Sequence, residues 1–203
     1  MKCPWADGDN AAMTAYHDHE WGFVTTDETA TFELMVLEMM QAGLSWQTVL
    51  NKRAAFKSAF ANYDLTQIAD FKQPEIDTLM ANAGIIRNKR KILATINNAQ
   101  LLQKWHSAGQ TVIAYLWSFV DYEPQNSQLR SMTDLPAQTD LSKRISKTLK
   151  KQGFQFLGPN IVYSWLQALG IINDHLTTCD RYEPAIAFGN AHHDALMALK
   201  KTL

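Results

Sequence analysis

Apolar residues recur at helical spacing along most of this chain, and no convincing run of alternating strand residues interrupts them. That pattern predicts an all-α fold, and the punctuation between apolar runs sets its pieces. Thr26 or Asp27 caps a helix over 28–41, with Gly43 just past its end. Ser45 opens a second helix that carries Trp46, Val49, Leu50, Ala54 and Phe60 on or near one face. Gln73-Pro74 starts a short helix closed by Gly84. A long helix over 88–108 places Ile92, Leu93, Ile96, Ala99 and Leu102 at core spacing, and another covers 112–120. Residues 122–136, rich in Gln, Asn, Ser and Pro, read as a loop. Helices over 140–153 and 159–169 follow, the second closed by Gly170. Beyond Asp180 a single short, peripheral helix is expected over 194–203.

A chain of 203 residues can bury one sizeable core or two small lobes. No stretch approaches the ~20 consecutive apolar residues that a membrane span needs, so no membrane partner is expected. The first residues, one lysine followed by polar and acidic side chains, lack the apolar region of a secretory leader, so the expected location is cytoplasmic. The net charge of -1 hides an uneven distribution. Residues 1–38 hold one Lys against eight acids, 52–104 nine basic against four acidic, and 140–151 five against one. Such a chain can present a basic face to phosphates, although lysines that merely solvate helix surfaces give the same counts.

The two cysteines, Cys3 and Cys179, lie near opposite ends of the chain, and a reducing compartment argues against a disulfide. Each comes with a histidine, Cys3 with His17 and Cys179 with His175. Two thiolates and two imidazoles suit zinc, and the four-residue step from His175 to Cys179 is one helical turn. Four protein ligands leave no position for water, so such an ion is structural, one per chain. Spacing alone leaves alternatives open: His19 and the pair His192-His193 also offer imidazoles, and two unrelated buried thiols would read the same way.

Leu34-Met35-Val36-Leu37-Glu38-Met39-Met40 is apolar nearly all round, so Glu38 has few routes to water. A buried carboxylate needs a hydrogen-bond or cationic partner, and a helix C-terminus disfavours its charge. A cationic ligand answers both. Gln41 shares the Glu38 face, Tyr16 and Trp21 precede the helix, and Trp46 follows it. Together they make a box for a flat, electron-poor ring. The plainer alternative keeps the tryptophans in the core and Glu38 on a solvated strip, or paired with a basic side chain elsewhere.

Tyr16-His17-Asp18-His19-Glu20-Trp21-Gly22 resembles a signature of the 3-methyladenine DNA glycosylase I family. The similarity continues through Glu38, Gln41-Ala42-Gly43-Leu44-Ser45-Trp46 and Val49-Leu50-Asn51-Lys52-Arg53. It resumes at Ala83-Gly84-Ile85-Ile86-Arg87, Trp117-Ser118-Phe119-Val120, Gly153-Phe154 and Asn173-Asp174-His175. The resemblance implies a helix-hairpin-helix fold with a structural zinc on Cys3, His17, His175 and Cys179. It implies that Glu38, Tyr16 and Trp46 line the base pocket with Trp21 beside them, and that Gly43 and Leu44 lie near the DNA. The hairpin, about 82–92, would grip a phosphate through Gly84, Arg87 and Lys89. Residues 1–180 then form one functional unit and 181–203 a C-terminal extension. The chain departs from the family at Met13, where some members carry an aromatic, in a Cys3–His17 gap one residue longer than usual, and in a hairpin without its second glycine.

The implied activity is base excision repair of alkylated double-stranded DNA by a monomer, with free 3-methyladenine as product. N3-methylated adenine is cationic and its bond to the sugar is already weakened. Glu38 would favour that charge, Tyr16 and Trp46 would flank the ring, and water would capture the sugar. No lysine lies near the pocket in sequence, which points to a glycosylase without strand cleavage. Two rivals stand beside this reading: a non-catalytic helix-hairpin-helix DNA-binding module, and an unrelated helical enzyme for a small cationic aromatic, whose activity would ignore salt.

Overall fold

Side-chain caps decide where the helices of this protein begin. In the computed structural model, which describes residues 1–203, seven helices start on a residue whose side chain accepts a backbone N–H three positions on. Asn10 caps α1 (Ala11–His19), Asp27 caps α2 (Glu28–Gln41) and Ser45 caps α3 (Trp46–Leu50). After α4 (Arg53–Ala59), Asp64 caps α5 (Leu65–Ala69), and α6 (Gln73–Ala81) opens with proline in its first turn. Asn88 caps α7 (Lys89–Ser107), Thr111 caps α8 (Val112–Ser118) and Thr139 caps α9 (Asp140–Lys151). Then come α10 (Pro159–Ala168), α11 (Tyr182–Ala191) and α12 (His193–Ala198). Each such cap stabilises its helix by about 1 kcal/mol. The fold is all-helical apart from one two-residue parallel pairing of Gln125–Asn126 with Ile172–Asn173.

Helix α2 is the axis of the core. Nine of its residues, Thr31, Phe32 and Leu34 through Met40, are buried. It packs against α3, α7, α8 and α10. Indole N–H groups fasten it and the segment leading into it: Trp165 Nε1 donates to the Thr31 carbonyl at 3.0 Å and Trp117 Nε1 to the Thr25 carbonyl at 3.2 Å. Gly170 ends α10 at φ +66°, and a Cβ there would lie 2.2 Å from the Phe23 carbonyl carbon. That close approach hangs the 22–25 segment on the end of α10, through Gly22 N–H to the Gln167 carbonyl and Thr25 N–H to that of Leu169.

Several expected elements come out differently. The helix opened by Ser45 breaks at Asn51-Lys52, where Lys52 leaves helical geometry at φ -106° and ψ 2° and its ammonium donates to the carbonyls of Ala83 and Gly84. Helix α6 stops at Ala81 rather than Gly84: Asn82 is extended and its Oδ1 accepts the Gly84 N–H at 2.8 Å. Leu93 is 41% exposed instead of lying in the core. Residues 175–179 form a turn, not a helix. The segment after Asp180 holds two α-helices where one was expected, and it is not peripheral, since Leu196 is wholly buried in the main core.

Candidate functional site

The strongest cluster of ligating atoms joins the two ends of the chain. The thiols of Cys3 and Cys179 and the imidazoles of His17 and His175 are all buried, with their ligand atoms within 4.8 Å of one another. Cys179 Sγ lies 3.5 Å from His17 Nε2 and 3.6 Å from His175 Nδ1, and Cys3 Sγ is 3.8 Å from His175 Nδ1. A tetrahedral zinc with its usual bond lengths sets N and S ligands about 3.4–3.8 Å apart, so the cage has the right size. The outward nitrogens have fixed partners. His17 Nδ1 is 2.8 Å from Asp18 Oδ1, and His175 Nε2 is 2.8 Å from the Trp21 carbonyl. With each outward nitrogen donating, the inward nitrogens present lone pairs, the orientation a metal needs. Burial holds both imidazoles below the usual histidine range, His175 at about 4, and pushes the Cys3 thiol up to about 12. Histidines kept neutral suit a cation between them, and a thiol so placed ionises only against one. The step from His175 to Cys179 is made by a turn in which Cys179 N–H donates to the Leu176 carbonyl at 2.7 Å. His19 and the pair His192-His193 stay outside the cage.

The second cluster surrounds Glu38. Its side chain is buried, at 5% exposure, with no hydrogen-bond partner, and burial pushes its carboxyl up to about 8. Tyr16, also buried, is raised well above the usual phenol range, first by burial and then by the charge of Glu38. The Tyr16 ring lies 5.1 Å from that of Trp46, tilted by 53°. Trp46 Nε1 is buried without a partner. An acid and an indole donor both left unpaired around one tyrosine are groups that call for a polar ligand. Trp21 packs on the cage, 4.7 Å from the His175 ring, and reaches this cluster only through Trp5, 5.1 Å away, whose ring lies 6.3 Å from that of Tyr16. Gln41 spends its amide N–H on the Leu44 carbonyl at 2.9 Å, which closes the Gly43 turn (φ +83°) and leaves Leu44 41% exposed at its tip.

Two residues were not singled out by sequence. Trp5 touches Tyr16, His17 and Trp21, and lines a cleft of about 350 Å³ with Met13 and Gln47. Its position two residues after a ligand cysteine was the available signal. Lys91, expected nowhere near the pocket, folds inward: its ammonium donates to the Met40 carbonyl at 2.9 Å and the Ala42 carbonyl at 2.7 Å. It therefore caps the C-terminus of α2, and burial lowers its pKa. Lys91 also ties the Gly43 turn to the start of α7. Between α6 and α7, Gly84 leaves room for Ala55, whose Cβ would lie 3.2 Å from a Cβ at position 84. Arg87 and Lys89 are exposed there.

The family model described as methyladenine glycosylase matches residues 5–182. The chain is 40% identical over 181 residues to DNA-3-methyladenine glycosylase 1 of Escherichia coli strain K12, covering 89% of this chain and 96% of the relative. A crystal structure of a 3-methyladenine DNA glycosylase I superposes with a TM-score of 0.86 at 41% identity, over 89% of this chain and 98% of that one. A structure concerned with 3-methyladenine recognition by the Staphylococcus aureus 3-methyladenine DNA glycosylase I gives a TM-score of 0.82 at 35% identity, over 86% and 93% of the two chains.

Proposed function

The chain belongs to the methyladenine glycosylase family and hydrolyses the N-glycosidic bond of 3-methyladenine in alkylated DNA, and we propose that Glu38 is the residue on which selection of the damaged base turns. The observation that carries this reading is the buried, unpartnered Glu38 carboxyl beside Tyr16 and Trp46. A neutral adenine entering the pocket gives that carboxyl no reason to ionise. A base methylated at N3 carries positive charge, and its arrival favours the carboxylate and is favoured by it. Tyr16 and Trp46 flank the ring, where stacking and cation–π attraction add to the preference. Trp21 and Trp5 buttress Tyr16 from the side of the metal cage, and Gln41 shapes the turn below.

Adenine methylated at N3 is already a good leaving group, so excision asks for a flipped, held base and a dry, negative surrounding more than for a strong nucleophile. Lys91 is held by two carbonyls, which supports hydrolysis by water and an intact DNA backbone. The α6–α7 connection acts as the hairpin of a helix-hairpin-helix fold, gripping a phosphate through backbone N–H groups near Gly84 and the side chains of Arg87 and Lys89. Gly43 and Leu44 form the tip that fills the gap left by the flipped nucleotide. Zinc on Cys3, His17, His175 and Cys179 supplies structure, clasping the N-terminal segment to the turn at 175–179.

Release of free 3-methyladenine from methylated duplex DNA, read by chromatography with the backbone checked on a denaturing gel, tests this function. Release without nicks is the expected result. DNA binding without release would leave a non-catalytic module.

A further inference from the structure

Trp46 is the first residue of a helix that cannot hold its own position. Helix α3 has five residues, and a helix shorter than about 12 residues is marginal in water unless its surroundings fix it. It packs on α1 and α2, the helices that carry Tyr16 and Glu38. The indoles of Trp117 and Trp165 are each held by a carbonyl. The indole N–H of Trp46 has no partner. Its ring is therefore placed by packing and by whatever fastens the two ends of α3.

Both ends are fastened by lysines, and both to the α6–α7 connection. Ahead of α3, Lys91 in the first turn of α7 holds the Met40 and Ala42 carbonyls. Behind it, Lys52 Nζ donates to the Ala83 carbonyl at 3.1 Å and to that of Gly84 at 3.2 Å. Residues 42–52, with Leu44 and Trp46 among them, thus form a strap pinned at both ends on one connection. Lys52 has no other use. Its neighbour Arg53 pairs with Glu20 and Glu33, whereas Lys52 forms no ion pair. The two carbonyls it holds lie just past the C-terminus of α6, where open carbonyls and the helix dipole favour a cation. The receiving backbone is fixed in turn. Asn82 Oδ1 accepts the Gly84 N–H at 2.8 Å, and the missing Cβ at Gly84 lets Ala55 of α4 close against it. Asn51, beside Lys52, accepts from Asn10 at the start of α1, at 3.4 Å.

Resting on the glycosylase reading above, we propose that Lys52 is a positioning residue for excision: its ammonium, spent on the Ala83 and Gly84 carbonyls, pins the far end of the strap and so holds Trp46 at the ring of Tyr16. Lys52 touches no substrate in this role. It acts through Trp46, and it puts the base pocket in register with the backbone of the hairpin. Without the ammonium the end of α3 is free to shift, and Trp46 has no hydrogen bond of its own to keep its ring in place.

Single-turnover excision from methylated duplex DNA, together with fluorine NMR of protein labelled with 5-fluorotryptophan, tests the role. Lys52→Met removes the ammonium and keeps an apolar stem. Lys57→Met, at an exposed lysine on α4, is the control of equal charge. A ring misplaced by about 1 Å costs up to about 100-fold in rate, so Lys52→Met is expected to slow excision at saturating enzyme by at least about tenfold. Its half-saturating concentration should stay within about twofold of that of Lys57→Met, a loss in kcat rather than KM. The Trp46 resonance, assigned with Trp46→Phe, should be displaced in Lys52→Met while those of Trp117 and Trp165 stay in place. Lys52→Arg should restore both the rate and the resonance. A rate equal to that of Lys57→Met, or a Trp46 resonance at its wild-type position, overturns the proposal. So does displacement of the Trp117 and Trp165 resonances along with that of Trp46, which would make Lys52 a support of the whole fold. The glycosylase reading fails separately, by the wild type releasing no 3-methyladenine.

Discussion

At the scale of single residues, Glu38 carries the largest consequences. In the folded chain its carboxyl titrates near 8, against an ordinary value of 4.5, because burial penalises the charged form. Below about pH 4.5 the folded and unfolded chains both hold the proton, and Glu38 costs nothing by this route. As pH rises from there toward 8 the unfolded chain gains by ionising, so stability is lost through that window and the loss is complete above it. Glu38→Gln removes the penalty. Its melting temperature should exceed that of the wild type by about 5–10 °C at pH 8 and match it at pH 4.5. Excision should move the other way, with kcat/KM about 100-fold lower at pH 8. The wild-type rate should climb with pH up to about 8, and the variant should be flat. A variant that is neither stabilised at pH 8 nor slowed would remove Glu38 from its role. Sequence showed why Glu38 is odd, an acid in an apolar helix, because that oddity is local. It could not show Trp5 closing on Tyr16, which depends on how the N-terminal segment returns across α1.

Elements were legible where a cap or a breaker marks them. Asp27, Ser45, Asn88 and Gly170 stand where the sequence put them. Helix α5 was missed because five residues carry no period, and α11 because Pro184 in its first turn reads as a breaker. Beyond the four-residue cage and the pairing of Tyr16 with Trp46, contacts between elements were not legible. Lys91 reaches the end of α2 from 51 positions away and satisfies carbonyls that the helix leaves open. It ties the start of α7 to the turn that carries Leu44, so on the proposed reading a phosphate gripped at the start of α7 would fix that tip. Lys91→Met leaves two carbonyls without their donor and should cost about 2–3 kcal/mol of stability. It should also weaken binding to a duplex with an abasic site more than binding to an intact duplex, with Lys91→Arg partly restoring the difference. An equal loss on both duplexes, in direct titrations, would show that Lys91 only stabilises the fold.

Across the whole molecule, the cage and the C-terminal segment close the chain in two places. The cage joins Cys3 to Cys179, so Cys179→Ser should abolish stoichiometric zinc by elemental analysis and lower the melting temperature by at least 10 °C, in keeping with the several kcal/mol such a site contributes. Unchanged metal content would refute the clasp. The four candidate ligands and their convergence were readable in sequence; the local geometry at 175–179, a turn rather than a helix, was not. The last residues lie outside the 5–182 family match, yet they are built into the body. Leu196 is fully buried, Thr111 N–H donates to the Thr202 carbonyl at 2.9 Å where α8 begins, and the Lys200 ammonium lies 5.1 Å from the Tyr122 ring. None of these contacts involves Glu38, Tyr16, Trp46 or the cage. Leu196→Ala should therefore cost about 3 kcal/mol through lost burial and the cavity left behind. For a chain of this size that lowers the melting temperature by about 6–12 °C, while excision of 3-methyladenine at 25 °C stays at the wild-type rate. A melting temperature within about 2 °C of wild type would show that the tail rests on the fold without supporting it. A stability loss accompanied by slowed excision would instead tie the tail to the site through α8, the helix that packs directly on α2.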